Sequence, residues 1–461
     1  MAESVVRALY KTAVEHIEAA QAEGGGADRL RSVIDGFARV VDLAPDSPLG
    51  YLGRGYARAL AGEDALALDD LAHAIEVGTD LPQAYATRAR FYETRGAPDK
   101  ALDDYDDAVA LSPRDALLRR DRASVRLAEG DWAGALEDLD VALDVDPGLL
   151  DVRRIRATIL ESLGRHEQAL AELDFLIDHG DDSAAVHRDR GNSRGALGDL
   201  DGAIADFTAA VDRDPSLLDA YLARAQAYAS LQADDKAVAD YSEALALDPG
   251  LDKAYRRRAE ALQRLGRPAE ALADLDRFIE LGADSAEAFS LRARSREDVG
   301  DLEGALEDYA RALERDSASL PVYLGRGRVH LARGAAELSL ADYDAAVSVD
   351  PSCADAYIGR AAAYQALGDA EQAAWDHQRA VALDPGRVEA HRGIVLADLA
   401  MGEEYQDRRL VGKADETYRA ALAHADIGLA AASGDPVLRM CRAAALRALG
   451  ACDRALEEVR G

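Results

Sequence analysis

Ten arginines recur at 34-residue intervals between Arg54 and Arg360, Arg224 and Arg258 among them. Each is followed sixteen residues later by an acid, Asp240 and Asp274 in those two cases. A guanidinium and a carboxylate held together make a bidentate, charge-assisted hydrogen-bonded pair. Burying such a pair displaces its pKa values, a property shared by catalytic acids and bases. Ten identical copies along one chain are more than a single reaction centre uses, so the spacing points to structural ion pairs rather than to catalysis.

The elements that must position these pairs follow from the same period. From Pro45, steps of 34 residues meet Pro113, Pro147, Pro215, Pro249, Pro351 and Pro385 with no insertion or deletion. A fixed period of this length marks stacked copies of one supersecondary unit. Ten units begin at residues 48, 82, 116, 150, 184, 218, 252, 286, 320 and 354. In each, position 8 is Gly or Ala, and position 20 is Ala except for Ser339. Position 24 is Leu, Tyr or Phe except for His377. Position 15 is Gly except for Gln232. A glycine there adopts the left-handed conformation that ends one helix before the next begins, so each unit is predicted to be a helical hairpin. Position 7 lies eight residues before that turn and position 23 eight after it. In antiparallel helices the arginine and the acid then face each other, Arg224 with Asp240 and Arg258 with Asp274.

The pattern of small 8, Ala 20, large 24 and Pro 32 resembles the tetratricopeptide repeat, over residues 48–387 in strict register. The resemblance implies an all-α chain: an α-solenoid, a right-handed superhelix of about twelve helix hairpins, with a concave groove lined by the first helix of each pair. Residues 1–47, with helices expected at 3–22 and 27–43, read as an N-terminal capping pair. Residues 388–435 read as an expanded unit, 14 residues longer than the others, and residues 436–461 as a C-terminal capping half-unit. The expanded unit has no proline before Pro436, so both of its helices are expected to be lengthened into a stiff protrusion. Tyr405, Leu410 and Tyr418 are its candidate contact residues for an oligomer or a partner.

By the same resemblance, positions 2, 5, 9, 12 and 13 line the groove, where the ten units carry nine basic and nine acidic residues. Arg120, Arg154, Arg188 and Arg256 stand at position 5 and are candidates for bidentate recognition of carboxylates. The competing reading pairs such arginines with surface acids such as Asp151 and Glu161. Arg188, Asn192, Lys253 and Arg257 resemble four of the five residues of the carboxylate clamp of co-chaperone tetratricopeptide domains, which grips an acidic C-terminal tail. Ala223 stands where the clamp has its second amide, which departs from chaperone-tail specificity.

A net charge of -32 opposes binding to nucleic acid or anionic lipid. Hydrophobic residues make up 49% of the chain and aromatic residues only 5%, as suits a soluble Ala/Leu-rich helical protein. Cys353, Cys441 and Cys452 have no CxxC spacing, which excludes a zinc knuckle and points to a reducing, cytoplasmic location. No long apolar run predicts a membrane span. The nine histidines are scattered, and "GRGYARALAG" and "GRGRVHLARG" lack the strand and the GK[ST] ending of a phosphate loop. No catalytic, cofactor-binding or metal-binding residues are expected. The expected function is a non-catalytic scaffold or adaptor holding a peptide, an acidic tail or a folded partner in its groove. The alternatives are a homodimer formed through the expanded unit, or a regulatory subunit of a signalling or defence system.

Overall fold

The computed structural model describes residues 27–455, so the helix expected at residues 3–22 and the last six residues lie outside what is described here. The chain divides into two compact units between Ala227 and Tyr228. All twenty-four helices among the described residues are α-helices, with no strand, and each unit is an α-solenoid of stacked antiparallel hairpins. The first unit opens with α1 (Ala27–Leu43) and continues through five hairpins: α2 (Pro48–Leu60) with α3 (Asp64–Val77), α4 (Pro82–Thr94) with α5 (Pro98–Leu111), α6 (Ala116–Ala128) with α7 (Trp132–Val145), α8 (Leu150–Ser162) with α9 (His166–Asp178), and α10 (Ala184–Ala196) with α11 (Leu200–Arg213). The boundary falls within α12 (Leu218–Ser230). The second unit then runs from α13 (Asp234–Leu247) through α14 (Asp252–Arg264), α15 (Pro268–Glu280), α16 (Ala286–Asp298), α17 (Leu302–Arg315), α18 (Leu320–Ala332), α19 (Ala336–Val349), α20 (Ala354–Leu367) and α21 (Ala370–Leu383) to α22 (Val388–Asp407), α23 (Val411–Ala431) and α24 (Pro436–Ala448).

Local chemistry sets these lengths. The first helices stop at the position-15 glycines, such as Gly130 at φ 81° and Gly300 at φ 87°, a conformation that costs glycine little. The second helices often start on an acidic cap: Asp131 Oδ1 accepts from the Gly134 amide at 2.9 Å. Such a cap satisfies an amide that the helix itself leaves unpaired. In six of the ten regular repeats they end just before a proline, as the helix ending at Val145 does with Asp146 before Pro147, because the proline ring disfavours helical backbone at the residue preceding it.

Within a hairpin the small position 8 receives the large position 24. A Cβ placed on Gly191 would lie 2.6 Å from the Phe207 ring, closer than carbon atoms approach. Ala89 and Tyr105 make the same contact layer in α4 and α5, both without exposed surface. No single hairpin has enough apolar surface to close a core, so each layer is completed by the next repeat.

The surplus of the expanded unit is divided between its helices. The 20 residues of α22 and the 21 of α23 compare with 13 and 14 in α18 and α19. At a rise of about 1.5 Å per residue, seven added residues lengthen each helix by roughly 10 Å. The Tyr418 ring packs over Gly402, where an added Cβ would lie 2.5 Å away, and Tyr418 is 2% exposed. Tyr418 therefore holds the hairpin together from within, which corrects its reading as an outward contact. Leu410 stands exposed at the tip, and Tyr405 is half-buried with the Lys413 ammonium 5.8 Å from its ring centre.

Candidate functional site

The arginine column forms as its spacing requires. Within their units, Arg54, Arg88, Arg122, Arg156, Arg190, Arg258, Arg292, Arg326 and Arg360 each bond the acid sixteen residues on. Arg258 donates from Nε and Nη2 to the two oxygens of Asp274 at 2.8 and 2.6 Å. Arg224 lies in the first unit and Asp240 in the second, so their pairing stands on the repeat spacing. Inside its own unit the Arg224 guanidinium donates to Thr208 Oγ1 at 3.1 Å and lies 5.7 Å from the Tyr221 ring centre.

Asp138 shows the pair at its most buried. Its carboxylate has no exposed surface and accepts from Arg119, Arg122 and Arg126 at 2.5 to 2.9 Å. Burial alone raises a carboxyl pKa, but the bonds from Arg122 and Arg119 outweigh it and hold Asp138 below the ordinary carboxylate value. The same arginines reach backward as well. Arg122 bonds Asp106 at 2.7 Å, Arg292 bonds Asp276 at 2.9 Å, and Arg258 bonds Ser242 Oγ at 2.9 Å. Each of these acceptors sits at position 25 of the preceding repeat. The arginine thus joins two hairpins, a role that the reading of a pair within one hairpin missed. The signal was present in the sequence as Asp, Ser or Thr at position 25 in seven of the ten repeats, with Ala72, Ala310 and Gln378 as the exceptions.

The groove arginines form a second ladder, also with neighbouring repeats. Arg120 at position 5 bonds Asp151 at 2.8 Å, and Arg256 bonds Glu287 at 2.6 Å, each 31 residues on. Arg90 bonds Asp121 and Arg328 bonds Glu297, both at 2.6 Å. Arg154 bonds Asp181. Arg188 bonds its neighbour Asp189 at 2.6 Å and lies 4.0 Å from Asp219. These six cations therefore have a carboxylate partner on the protein itself. Glu161 differs: its carboxylate accepts from Ser193 Oγ at 2.8 Å, and burial, with Asp189 adding to it, pushes its pKa up to about 7.

The four clamp-like residues are not assembled into one described site. Arg188 and the exposed Asn192 belong to the first unit, and Lys253 and Arg257 to the second. Arg257 is 52% exposed and reaches Glu260 of its own helix at 3.2 Å. Lys253 is exposed, and among the described residues no carboxylate is recorded within ion-pair distance of it.

Two described cavities remain. About 320 Å³ lies between α2 and α4, walled by Tyr56, Leu60, Leu71 and Phe91, with Arg90 and Glu93 also lining it. About 580 Å³ lies beside Trp132, Leu136 and Leu163. No group of three or more metal-ligating side chains occurs among the described residues, and no described helix is long and apolar enough to cross a membrane.

These hairpins, with a small position 8 under a large position 24 and an arginine stapling successive repeats, place the chain in a known class. It belongs to the tetratricopeptide repeat family: models of that repeat match residues 89–160, 188–252, 256–321 and 324–388, together more than half of the chain. No curated protein matches it. Among solved structures it is similar to part of a tetratricopeptide repeat protein from Cytophaga hutchinsonii, at 17% identity over 52% of this chain and 98% of that one with a TM-score of 0.45. It is similar to YrrB, described as a TPR protein with an unusual peptide-binding site, at 21% identity over 40% and 95% with a TM-score of 0.35. It is also similar to a chain of the APC/C Cut9–Hcn1 hetero-tetramer, at 13% over 84% and 93% with a TM-score of 0.38. The architecture is that of a protein-interaction scaffold.

Proposed function

We propose that the chain is a non-catalytic adaptor that holds an extended acidic segment of a partner protein against the groove face of α14. The observation that carries this reading is the charge of that helix, five basic residues against two acidic ones in a chain at -32. Arg258 and Arg264 are taken up by Asp274 and Asp234. Lys253 remains to meet an incoming carboxylate, with Arg257 and Arg256 able to exchange Glu260 and Glu287 for one. Exposed ion pairs contribute little, so such an exchange costs little. The overall charge argues against nucleic acid or anionic lipid as the partner. The three free thiols, Cys353, Cys441 and Cys452, support a reducing compartment such as the cytoplasm.

Fluorescence anisotropy with an acidic peptide ending in a free carboxylate tests the reading. Lys253→Ala with Arg257→Ala removes two charge-assisted contacts and is expected to weaken binding at least about tenfold, whereas an amidated neutral peptide binds poorly to either protein. Unchanged affinity in the double variant would reject this site.

A further inference from the structure

The tip of the α22–α23 hairpin sets basic side chains around exposed apolar ones on a chain of net charge -32. Over seven residues, 407–413, it carries Arg408, Arg409 and Lys413 against a single acid, the exposed Asp407, around Leu410 and Val411, which are 43% and 64% exposed. About a turn and a half below, some 8 Å by helical rise, stand the exposed acids Glu403, Glu404 and Glu416. Arg408 reaches down to Glu404 at 2.5 Å, so the basic crown and the acidic collar share a face.

Arg409 supplies a second and independent observation. It occupies the turn position that glycine holds in nine of the ten regular repeats, and its φ of 58° lies in the left-handed region. A side chain is disfavoured there, and residues kept in such conformations cluster where they are used. No described carboxylate is recorded within ion-pair distance of Arg409, and its side chain is exposed.

We propose that this tip is a self-association surface. Two copies of the chain pack their hairpin extensions side by side and antiparallel about a two-fold axis. The crown of each copy then meets the collar of the other, and Leu410 and Val411 are covered between them. A basic crown above an acidic collar is complementary to itself under that rotation and only under it, as a two-fold interface requires. The same collar disfavours an anionic bilayer, because three carboxylates approach it together with the three cations. The contact is small, about two helical turns on each partner, so the association belongs to the weak, transient class. It does not depend on the groove reading.

Sedimentation velocity on the full chain, from about 1 to about 200 μM to span that weak class, tests the proposal. Wild type is expected to move from monomer to dimer over this range. A crown variant (Arg409→Glu with Lys413→Glu) and a collar variant (Glu403→Lys with Glu404→Lys) should each self-associate at least about tenfold more weakly. Mixed in equal amounts they should recover association, since each then presents the sign the other lacks. All four substitutions are at exposed positions, and unchanged circular dichroism verifies folding. A wild type that stays monomeric throughout, or variants that associate like wild type, would overturn the proposal. So would pelleting of wild type, but not of the crown variant, with phosphatidylserine vesicles in the absence of any dimer. Saturation with the acidic peptide of the groove experiment is expected to leave the dimer unchanged, which separates the two readings.

Discussion

The hairpin of residues 116–149 and that of residues 388–435 solve the same packing problem with different chemistry. In the first, Asp138 is fully buried among Arg119, Arg122 and Arg126, and Arg122 extends to Asp106 of the preceding repeat. In the second, the corresponding positions counted inward from its two ends, Val388 and Pro436, hold Ile394 and His424, and counted from the tip they hold Met401 and Thr417. Neither frame has an arginine facing an acid. The apolar lock nevertheless returns at the tip, where Gly402, Ala414 and Tyr418 repeat the small 8, Ala 20 and large 24 of the regular units. Seven residues added to each helix make two turns less about 20°, so the faces stay in phase. A hairpin of this family therefore closes without the position-7 arginine and position-23 acid, here with the His391–His424 contact at 3.2 Å and the Arg392–Asp435 pair beside the apolar lock. The arginine column supplies something else, the stapling of one repeat to the next.

The largest expected effect breaks this comparison at Asp138. Asp138→Ala leaves three guanidiniums around a vacated buried site, and removing one partner of a buried pair costs about 3 to 5 kcal/mol. Its counterpart His424→Ala removes one hydrogen bond at the 3.2 Å contact with His391 and should cost about 1 kcal/mol. Urea unfolding monitored by circular dichroism, with hydrogen exchange to localise the change, checks both. Equal losses would show that the two hairpins are held in the same way.

Lowering the pH sharpens the contrast with no mutation. His391 Nε2 donates to the Pro385 carbonyl at 2.9 Å, so in the neutral ring its Nδ1 is bare and accepts from His424 Nδ1. Burial, and then the neighbouring His391, hold the His424 pKa below the ordinary 6.5. A histidine whose folded pKa is depressed contributes stability that is complete above about 6.5 and falls as the pH drops toward the folded value. Asp398, pushed up to about 6 by burial, works the other way, gaining stability as its carboxyl protonates. The histidine contribution is therefore the difference between wild type and His424→Gln. Asp138, held below the ordinary carboxylate value of 3.8, keeps its contribution until the pH falls through that range. Hydrogen-exchange protection, taken relative to the intrinsic amide rate at each pH, should fall between pH 7.5 and 5.5 at residues 388–431 more in wild type than in His424→Gln, and stay unchanged at residues 116–149. Loss of protection at both hairpins would rule out the histidine pair as the cause.

The regular hairpins were legible in the sequence because one periodic code, repeated without insertion, fixes both helices and the turn between them. Arg258 and Asp274 were legible for the same reason, eight residues on either side of a glycine. The groove was less so. The sequence leaves Arg120 open between a ligand and a surface acid such as Asp151; that it bonds Asp151, and that Arg256 bonds Glu287, depends on how one first helix lies against the next, a spacing of 31 residues that only stacking makes close. In the expanded unit the lengthened helices follow from the absence of proline, but the sequence alone does not show that Tyr418 faces inward. Its inward direction follows only once Gly402 is recognised as a second position 8, two turns beyond the first.

The smallest expected effect concerns the turns. Gln232 and Arg409 both hold a left-handed φ of 58° where the other described turns have glycine. A side chain in that conformation costs roughly 1 kcal/mol or more, and replacing it with glycine returns part of that as extra freedom of the unfolded chain, about 0.4 to 1 kcal/mol. Gln232→Gly and Arg409→Gly should therefore each stabilise the protein only slightly, by less than about 1 kcal/mol, seen as a small rise in the urea midpoint. If Arg409 is retained for its charge, the two substitutions then part company in the sedimentation experiment. Arg409→Gly should make the chain more stable and weaken its self-association, whereas Gln232→Gly should stabilise it and leave association as it was. A stabilised Arg409→Gly that still associates like wild type would show that the strain at the tip serves no contact, and would return the hairpin extension to a purely structural reading.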